Sequence, residues 1–453
     1  MAVYAEEFDV IVVGLGPGGE EVAGRLAEAG LAVAGVEADL VGGECPYWGC
    51  VPSKMMIRAA DLLAEGRRIP GMAGQAAVVS DWAPVARRIR EEATDHWNDK
   101  VAADRFTDKG GTLVRGRGRL TGPREVTVDG TRVLRARRGV VISTGTHASV
   151  PPIPGLAGTP YWTNHAAIEA EQVPESLIVL GAGAVGAELA QVFRRFGAEV
   201  TVIEGAERML PQEEPEAGEL IAKVFTREGM SVHTGAKVTR VDHHGAAFTV
   251  MTEEGSHRAE RLLVATGRQT DLAALGVGVI GLDESAKAID VDEHMRAADG
   301  VWALGDVTGK GAFTHMAMYQ ARIALADVLG EQGPAAAYHA VPRVTFTDPE
   351  VGSVGMTARQ ASEKGIAVRV ATTEVSSSAR GWIHGADGLI KLVADERVLV
   401  GATCAGPYAG EVLGLLTLAV HSRVPIEELK RMIYAYPTFH RAVEDTLGQL
   451  GRP

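Results

Sequence analysis

Two segments of the chain share the same order of apolar strand, glycine-rich turn and helix. In the first, the continuous apolar run at residues 8–13 (FDVIVV) predicts a buried parallel strand. The turn GLGPGG follows, then a helical pattern at residues 20–28 and a second strand that ends at Glu37. In the second, the strand at residues 177–180 (LIVL) leads through GAGAVG into a helix and a strand that ends at Glu204. The unit recurs at an offset of 167 residues (181 − 14), which predicts two domains of one type.

The glycine spacing of both turns suits a pyrophosphate. The first glycine permits a tight turn, the second lets the backbone approach the anion, and the third allows the helix to pack closely on the strand. These glycines are Gly14, Gly16 and Gly19 in the first turn and Gly181, Gly183 and Gly186 in the second. We therefore expect the chain to bind two dinucleotides.

A glutamate lies 23 positions after the first glycine of each turn, at Glu37 (37 − 14) and at Glu204 (204 − 181). A carboxylate at this point binds the hydroxyl groups of an adenosine ribose and repels a 2′-phosphate. Glu204 thus favours NAD(H) over NADP(H). Arg208, four residues further on, is a cation that could instead attract a 2′-phosphate.

Composition narrows the function classes. The 453 residues correspond to two to four domains at about 100–200 residues each. A net charge of −13 argues against a nucleic-acid surface, which needs clustered Lys and Arg. No apolar run reaches the roughly 18–20 residues of a membrane span, and the first residues lack the features of a signal peptide. We expect a cytoplasmic protein, in which a disulfide is more often catalytic than structural.

The segment GGECPYWGCVPSK, residues 42–54, holds two of the three cysteines, Cys45 and Cys50. Residues five apart in a regular α-helix have α-carbons about 8.7 Å apart, whereas a disulfide needs roughly 4.4–6.8 Å. If the two cysteines pair, the segment cannot be regular helix throughout, and Pro46 and Gly49 would permit the break. A zinc site would need further ligands. A structural disulfide that closes so short a loop would add little to the stability of the fold. We favour a redox couple.

Seven motifs in one order resemble the class I pyridine nucleotide–disulfide oxidoreductases, the group of lipoamide dehydrogenase, glutathione reductase and mercuric reductase. They are the Gly14 unit, GGECPYWGCVPSK, VISTGTHASVPPIPG (141–155), the Gly181 unit, VATGRQT (264–270), GVWALGDVTG (300–309) and VPRVTFTDPEVGSVGMT (341–357). The resemblance covers nearly the whole chain. It implies an α/β fold with two Rossmann-like dinucleotide-binding domains, for FAD and NAD, and a C-terminal α+β dimerisation domain.

The resemblance also implies a division of the chain. Residues 1–150 would form the first part of the FAD-binding domain, 151–270 the NAD-binding domain, 271–335 a central region that completes the FAD site, and 340–453 the dimerisation domain. The stretch GEQGPAAAYHAVP, residues 330–342, is typical of a linker before that last domain. The expected assembly is a homodimer with one FAD per subunit, each site completed by the partner's C-terminal domain.

Cofactor contacts follow from the same resemblance. The implied FAD residues are Gly14, Gly16, Gly19, Glu37, Gly43, Lys54, Thr144, Gly145, Asp306, His315 and Ala317. The implied NAD residues are Gly181, Gly183, Gly186, Glu204 and Gly267. Asp306 would lie on the ribityl chain of the flavin. No metal site is expected.

The implied reaction passes a hydride from NADH to FAD and then electrons to the Cys45–Cys50 disulfide and a small disulfide substrate, or runs in reverse from a dithiol. Cys50 would lie against the flavin and Cys45 would be the interchange thiol. Lys54 would lie near the flavin with Glu188 as its ion-pair partner.

The chain departs from the family at the C-terminal acid/base pair. The family has a His-Pro followed by a glutamate, whereas here Tyr436 replaces the histidine and Arg441 the glutamate. A tyrosine is a poor general base at neutral pH. His440, four positions after Tyr436, is a substitute candidate, and Glu444 could orient it if the segment is helical. An interface helix without a catalytic task is the alternative for His440.

Other readings stay open. With the acid/base pair missing, the flavin could serve quinones or metal ions as acceptors, with the cysteines secondary, or the protein could be a redox sensor with little turnover. No cysteine follows Cys404, so the terminal cysteine pair of mercuric reductases is missing. Cys404 is expected to be a buried apolar residue. Tyr47 and Trp48 would either narrow a substrate channel or pack within the flavin domain.

Overall fold

The computed structural model describes residues 5–451. Its strands are β1 Glu6–Val13, β2 Val33–Glu37, β3 Thr112–Arg115, β4 Gly118–Gly122, β5 Glu125–Val128, β6 Arg132–Ile142, β7 His147–Ala148, β8 Ser176–Leu180, β9 Glu199–Ile203, β10 Ser231–His233, β11 Val238–His244, β12 Ala247–Thr252, β13 Ser256–Ala259, β14 Arg261–Val264, β15 Arg268–Gln269, β16 Arg296–Ala298, β17 Val301–Ala303, β18 Pro342–Thr345, β19 Glu350–Gly355, β20 Arg369–Glu374, β21 Leu389–Ala394 and β22 Leu399–Gly406. Its α-helices are α1 Pro17–Glu28, α2 Glu44–Tyr47, α3 Cys50–Arg68, α4 Ala83–Arg88, α5 Lys100–Asp108, α6 Asn164–Ile168, α7 Ala184–Arg195, α8 Pro215–Arg227, α9 Leu272–Leu275, α10 Thr314–Leu329, α11 Ala358–Glu363, α12 Ala379–His384, α13 Ala409–His421, α14 Ile426–Arg431 and α15 Phe439–Gln449.

One compact unit contains residues 5–53, 87–149 and 268–338. Its sheet has the strand order β16-β17-β6-β1-β2-β3, with β5 and β4 added beside β6. Strands β17, β6, β1, β2 and β3 are parallel. Alternate residues of β1 enter different cores, Ile11 and Val13 on one face and Val10 and Val12 on the other. This burial on both faces explains the unbroken apolar run of the sequence.

The second unit contains residues 54–86 and 150–267 and the chain from 339 onward. It has a parallel sheet in the order β10-β9-β8-β14, an antiparallel sheet β11-β12-β13 and a five-stranded antiparallel sheet β18-β19-β22-β21-β20. The apolar face of the last sheet forms one core with helices α13 and α15. The described residues thus include two sheets with parallel central strands of the dinucleotide-binding type and a five-stranded antiparallel sheet near the C-terminus, beside smaller antiparallel sheets.

The predicted elements are present. The strand expected at 8–13 is β1, the helix expected at 20–28 is α1 with one more turn at its start, and the strand expected at 177–180 is β8. Helix α10 ends before Gly330, whose φ of 76° is left-handed, and β18 begins at Pro342, so the linker stretch separates two elements. Within residues 5–451, none of the helices has the length and apolar character that a membrane crossing requires. The four-part domain division of the sequence stays a prediction.

Candidate active site

The first glycine of each turn occupies the same conformation. Gly14 has a φ of 92° and Gly181 a φ of 98°, a region that favours glycine. A Cβ at Gly14 would lie 2.4 Å from the carbonyl oxygen of Ser143, and a Cβ at Gly181 would lie 2.4 Å from that of Ala265. Side chains are therefore excluded at both positions by backbone conformation and by space.

The second and third glycines also correspond. Gly16 and Gly183 begin α1 and α7 with extended backbones and no side-chain cap, and a Cβ at either would have nothing within 4 Å. A Cβ at Gly19 or Gly186 would lie 2.0 Å from the carbonyl oxygen of the first glycine of its turn. Each helix therefore packs tightly on its strand and presents uncapped backbone N–H groups beside open space, which fits a pyrophosphate.

The two glutamates hold the turns in the same way. One oxygen of Glu37 accepts the amide of Leu15 at 2.7 Å, and one oxygen of Glu204 accepts the amide of Ala182 at 2.6 Å. The other oxygen accepts the amide two residues further along the chain, at 2.9 and 2.8 Å. Burial raises the pKa of Glu37, and these amide hydrogen bonds oppose the shift. Each carboxylate is thus fixed at its turn, where a ribose hydroxyl would reach it.

Other residues expected at the flavin surround the first turn. Gly43 has a φ of 65°, and a Cβ there would lie 2.8 Å from the Cα of Gly16. The Cα of Thr144 lies beside Gly14 and the backbone of Ala317 beside Gly18 of α1. All three residues thus lie next to the first glycine turn or its helix, where FAD is expected.

Three further residues expected at the cofactors are Gly145, Gly267 and His315. Gly145, with a φ of 65°, and Gly267, with a φ of 120°, would each have nothing within 4 Å of a Cβ. The ring of His315 stacks on that of Phe313, with centroids 5.1 Å apart.

Asp306 belongs to a polar network that sequence reasoning missed. Its carboxylate accepts the Thr146 hydroxyl at 2.9 Å, and Arg268 Nε donates to that hydroxyl at 2.8 Å. Arg268 also lies 3.4 Å from a carboxylate oxygen of Glu44. Burial raises the pKa of Asp306, and the Thr146 hydrogen bond opposes this. Thr146 lies in the motif VISTGTHASVPPIPG (141–155) and Arg268 in VATGRQT (264–270). The presence of both residues in family motifs is the signal by which the sequence could have indicated them.

The cysteine segment is not regular helix throughout, which is the condition that pairing of Cys45 with Cys50 would impose. Cys45 lies in α2 and Cys50 is the first residue of α3. Trp48, with a φ of −136°, follows the last residue of α2. A Cβ at Gly49 would lie 3.0 Å from the carbonyl oxygen of Glu44. Gly49 thus permits a close approach that brings the two cysteines together, whereas Pro46 lies within α2.

Cys45 and Cys50 are both present as thiols, which interact with each other and with one hydroxyl. The hydrogen bond to Cys50 raises the pKa of the Cys45 thiol far above its usual range, and burial adds to this. Thr314, the first residue of α10, places its Oγ1 3.3 Å from the sulfur of Cys50 and opposes the shift at Cys45. Sequence reasoning missed Thr314, although its neighbour His315 was singled out.

Lys54 and Glu188 form the expected ion pair. Lys54 Nζ donates to Glu188 at 2.8 Å, and the other oxygen of Glu188 accepts the amide of Phe346 at 2.8 Å. The ammonium group also lies 4.6 Å from the centre of the Phe346 ring. Glu188 is buried, so its charge is matched by a cation and a backbone donor.

The C-terminal acid/base candidates are Tyr436 and His440, with Glu444 as the expected partner of His440. Tyr436 is 74% exposed and precedes a cis peptide bond to Pro437. His440 lies in the first turn of α15, and the carboxylate of Glu444 forms an ion pair with Arg441. The carboxylate of Glu444 thus pairs with the arginine three positions earlier, and the acid/base roles considered for Tyr436 and His440 stay predictions.

The aromatic residues between the cysteines have different surroundings. Tyr47 is buried, its hydroxyl donates to the carbonyl of Val41 at 3.1 Å, and burial raises its pKa. Trp48 is partly exposed, with its ring 5.9 Å from that of Tyr47. Packing therefore accounts for Tyr47. Cys404 is buried in the C-terminal core as expected, and burial raises its pKa to about 12.

Comparison with known families agrees with this architecture. Residues 8–321 match the pyridine nucleotide-disulphide oxidoreductase family, and residues 341–447 match its dimerisation domain. The chain belongs to the pyridine nucleotide–disulfide oxidoreductases, and it is a flavoprotein enzyme of the disulfide reductase type. The dimerisation domain supports a homodimer.

Individual relatives span nearly the whole chain. A mercuric reductase from Bacillus cereus is 32% identical over 95% of this chain and 70% of its own length. A dihydrolipoyl dehydrogenase from Chlorobaculum tepidum is 32% identical over 97% of this chain and 96% of its own. The structure of the HOCl-induced flavoprotein disulfide reductase RclA from Escherichia coli superposes with a TM-score of 0.85 at 26% identity, covering 98% of this chain and all of that one.

Proposed function

We propose that the protein is an NADH-linked, FAD-dependent oxidoreductase that exchanges electrons between a small disulfide or dithiol and its own Cys45–Cys50 couple. The observation that carries the proposal is the contact between the two thiols at the break between α2 and α3. It occurs in the same compact unit as a glycine turn fitted to a dinucleotide. We propose a homodimer that works in the cytoplasm.

The thiols supply a balanced two-electron step. The sulfur of Cys45 attacks one sulfur of the substrate disulfide and forms a mixed disulfide, while the proton of the Cys45 thiol passes to the departing sulfur and releases the first product thiol. Cys50 then attacks the Cys45 sulfur, which closes the Cys45–Cys50 disulfide and releases the second product thiol. The two protons of the dithiol leave with the two products, and the same steps run backward oxidise a dithiol.

Bound FAD would supply the relay of two electrons between nicotinamide and disulfide. In the proposed site the Gly16 turn would hold the pyrophosphate of FAD, Glu37 its adenosine ribose and Asp306 its ribityl chain. The family resemblance assigns Lys54, which pairs with Glu188, a place near the flavin. Thr314 donates a hydrogen bond to the thiolate form of the couple, which stabilises it before exchange.

Arg208 bears on the choice of nicotinamide. Its Nη2 donates to the carbonyl oxygens of Pro211 at 3.1 Å and Glu213 at 3.4 Å. With this guanidinium engaged by backbone carbonyls, the carboxylate of Glu204 dominates the charge at the ribose position. This supports NAD(H) over NADP(H).

The proposal is tested by anaerobic titration of the FAD-loaded protein with NADH. We expect a long-wavelength thiolate–flavin absorbance in the parent and in Cys45→Ser, but not in Cys50→Ser. Turnover should then be measured with dihydrolipoamide and low-molecular-weight disulfides. Full activity of Cys45→Ser with every accepted disulfide or dithiol would refute the proposal.

The replacement of the family's C-terminal acid/base pair favours a second function. With Tyr436 and Arg441 in place of the family's acid/base pair, and with mercuric reductases among the relatives, electrons could pass to a metal ion or quinone. The double variant Cys45→Ser/Cys50→Ser separates the two functions. Steady quinone or Hg(II) turnover in that variant supports the second, and failure of the whole acceptor panel excludes it.

A further inference from the structure

A short segment, residues 209–214, joins the second glycine turn to the C-terminal sheet within one compact unit. At its start the amide of Leu210 donates to the carbonyl oxygen of Ala182 at 2.9 Å. Ala182 lies between Gly181 and Gly183, the first two glycines of the turn, and its amide donates to Glu204 at 2.6 Å. Leu210 is buried and has a left-handed φ of 47°, a conformation that only the surrounding structure can hold in a leucine. The start of the connecting segment is therefore fixed to the turn.

The end of the connecting segment is held by a buried carboxylate. Glu213, 7% exposed, accepts two hydrogen bonds from Arg343 of β18, at 2.6 Å from Nε and 3.0 Å from Nη2. It also accepts the hydroxyl of Ser353 of β19. Two parallel N–H bonds from one guanidinium fix both position and orientation.

The next residue is held as firmly. Glu214, 2% exposed, accepts the ammonium group of Lys391 of β21 at 2.9 Å and the first amide of α11, from Ala358, at 2.6 Å. Lys391 also donates to Glu216 at 2.7 Å. Two consecutive buried carboxylates thus face two cations of the C-terminal sheet, and loss of either partner would leave a buried charge uncompensated.

The backbone between Leu210 and Glu213 is short and conformationally restricted. Pro211 restricts the backbone one residue after Leu210, and Arg208 ties the carbonyls of Pro211 and Glu213 together. A displacement of Glu213 must therefore move Leu210 and, through its hydrogen bond, Ala182.

We propose that Glu213 is a positioning residue for nicotinamide-nucleotide binding, which couples the second glycine turn to the dimerisation domain. The inference rests on the proposed function, in which the nicotinamide nucleotide binds at this turn. Because coupling is reciprocal, the nucleotide should tighten the contacts of the connecting segment with the C-terminal sheet as much as those contacts tighten nucleotide binding.

The first measurement is the affinity of the FAD-loaded protein for NAD⁺, by calorimetry. Glu213→Gln should weaken NAD⁺ binding about fivefold or more, the lower range of measured couplings. FAD content and the alkylation rate of the Cys45–Cys50 dithiol should stay at wild-type values. Glu363→Gln, which removes the exposed Arg359–Glu363 pair on α11, is the matched control and should change neither property.

The second measurement is hydrogen exchange of a peptide that contains Ala358, whose amide donates to Glu214. We expect NAD⁺ to slow this exchange in the wild type and in Glu363→Gln, and to have a smaller effect in Glu213→Gln. A general loss of stability would speed exchange with and without NAD⁺ equally, so the NAD⁺-dependent difference isolates the coupling.

Wild-type NAD⁺ affinity in folded Glu213→Gln, or exchange at Ala358 that ignores NAD⁺, overturns the inference. If Glu213→Gln does not fold, Ser353→Ala removes only one of the hydrogen bonds to Glu213, and the same two criteria apply to it. Failure of the wild type to bind NAD⁺ would instead overturn the proposed function itself.

Discussion

Thr314 Oγ1 lies 3.3 Å from the sulfur of Cys50, although 264 positions separate the two residues along the chain. The hydroxyl also lowers the pKa of Cys45 against the opposing effects of Cys50 and burial. One side chain at the start of α10 therefore touches both members of the couple. In a chain that lacks the family's C-terminal acid/base pair, this is a polar side chain within the same subunit that acts on both thiols.

Replacement of Thr314 by valine should move thiol reactivity to higher pH. Valine keeps the shape but removes the hydroxyl, so the thiolate that the couple forms first loses a hydrogen-bond donor. We expect alkylation of the dithiol by iodoacetamide at pH 7 to slow by about tenfold, the effect of one lost hydrogen bond. Thr314→Ser keeps the hydroxyl and should retain the wild-type pH profile. Identical profiles for the valine and serine variants would contradict this role.

One added methyl group should have different effects at Gly16 and at Gly19 of the first glycine turn. Gly16→Ala places a Cβ in open space where the pyrophosphate is expected, so FAD affinity should fall about tenfold or more. The thermal unfolding of its apoprotein should stay close to that of the wild type. Gly19→Ala places a Cβ 2.0 Å from the carbonyl oxygen of Gly14 and should destabilise the fold itself. FAD content and apoprotein melting distinguish the two, and a Gly16→Ala protein that keeps full FAD affinity would exclude the proposed cradle.

Nucleotide preference should depend on Glu204 and not on Arg208. Glu204→Gln removes the charge that repels a 2′-phosphate, so the ratio of kcat/KM for NADPH to that for NADH should rise roughly tenfold. Arg208→Met should leave this ratio unchanged, because the guanidinium donates to the carbonyls of Pro211 and Glu213. A lower NADPH efficiency in Arg208→Met would show that the arginine does reach the phosphate.

A buried charge cluster predicts a pH dependence of stability. Arg195, 3% exposed, donates to Asp61 at 2.6 Å, to Glu228 at 2.7 Å and to Asp348 at 2.7 Å. Burial raises the pKa of Asp61 from 3.8 to about 6, with Arg195 opposing. Because the folded pKa exceeds the unfolded one, the stability that protonated Asp61 contributes is fully present below pH 4. It is lost as the pH rises through 6.

The loss amounts to roughly 3 kcal/mol across this window. Asp61→Asn cannot ionise, so its free energy of unfolding relative to the wild type should increase between pH 4 and pH 7. Urea unfolding of both proteins at several pH values measures the difference. Parallel curves for the two proteins would rule out Asp61 as the titrating group.

The repeated turn could be predicted from the sequence because its requirements are local. Gly14 and Gly181 need a left-handed backbone, and Glu37 and Glu204 lie at a fixed distance along the chain from them. The break between Cys45 and Cys50 could also be predicted, since regular helix keeps residues five apart beyond disulfide reach. Lys54 and Glu188 were paired through the family resemblance rather than through any local pattern.

What the sequence by itself determined is therefore the two glycine turns with their glutamates and the break between Cys45 and Cys50, because both follow from short-range spacing. The division into domains came from the family resemblance and stays a prediction. Tertiary structure alone placed Thr314 against Cys50, Thr146 and Arg268 at Asp306, and Glu213 against Arg343. It also gave Glu444 to Arg441 rather than to His440. These partners either come from distant segments or compete within one helix turn, so packing and charge, and not the spacing of residues along the chain, decide which of them meet.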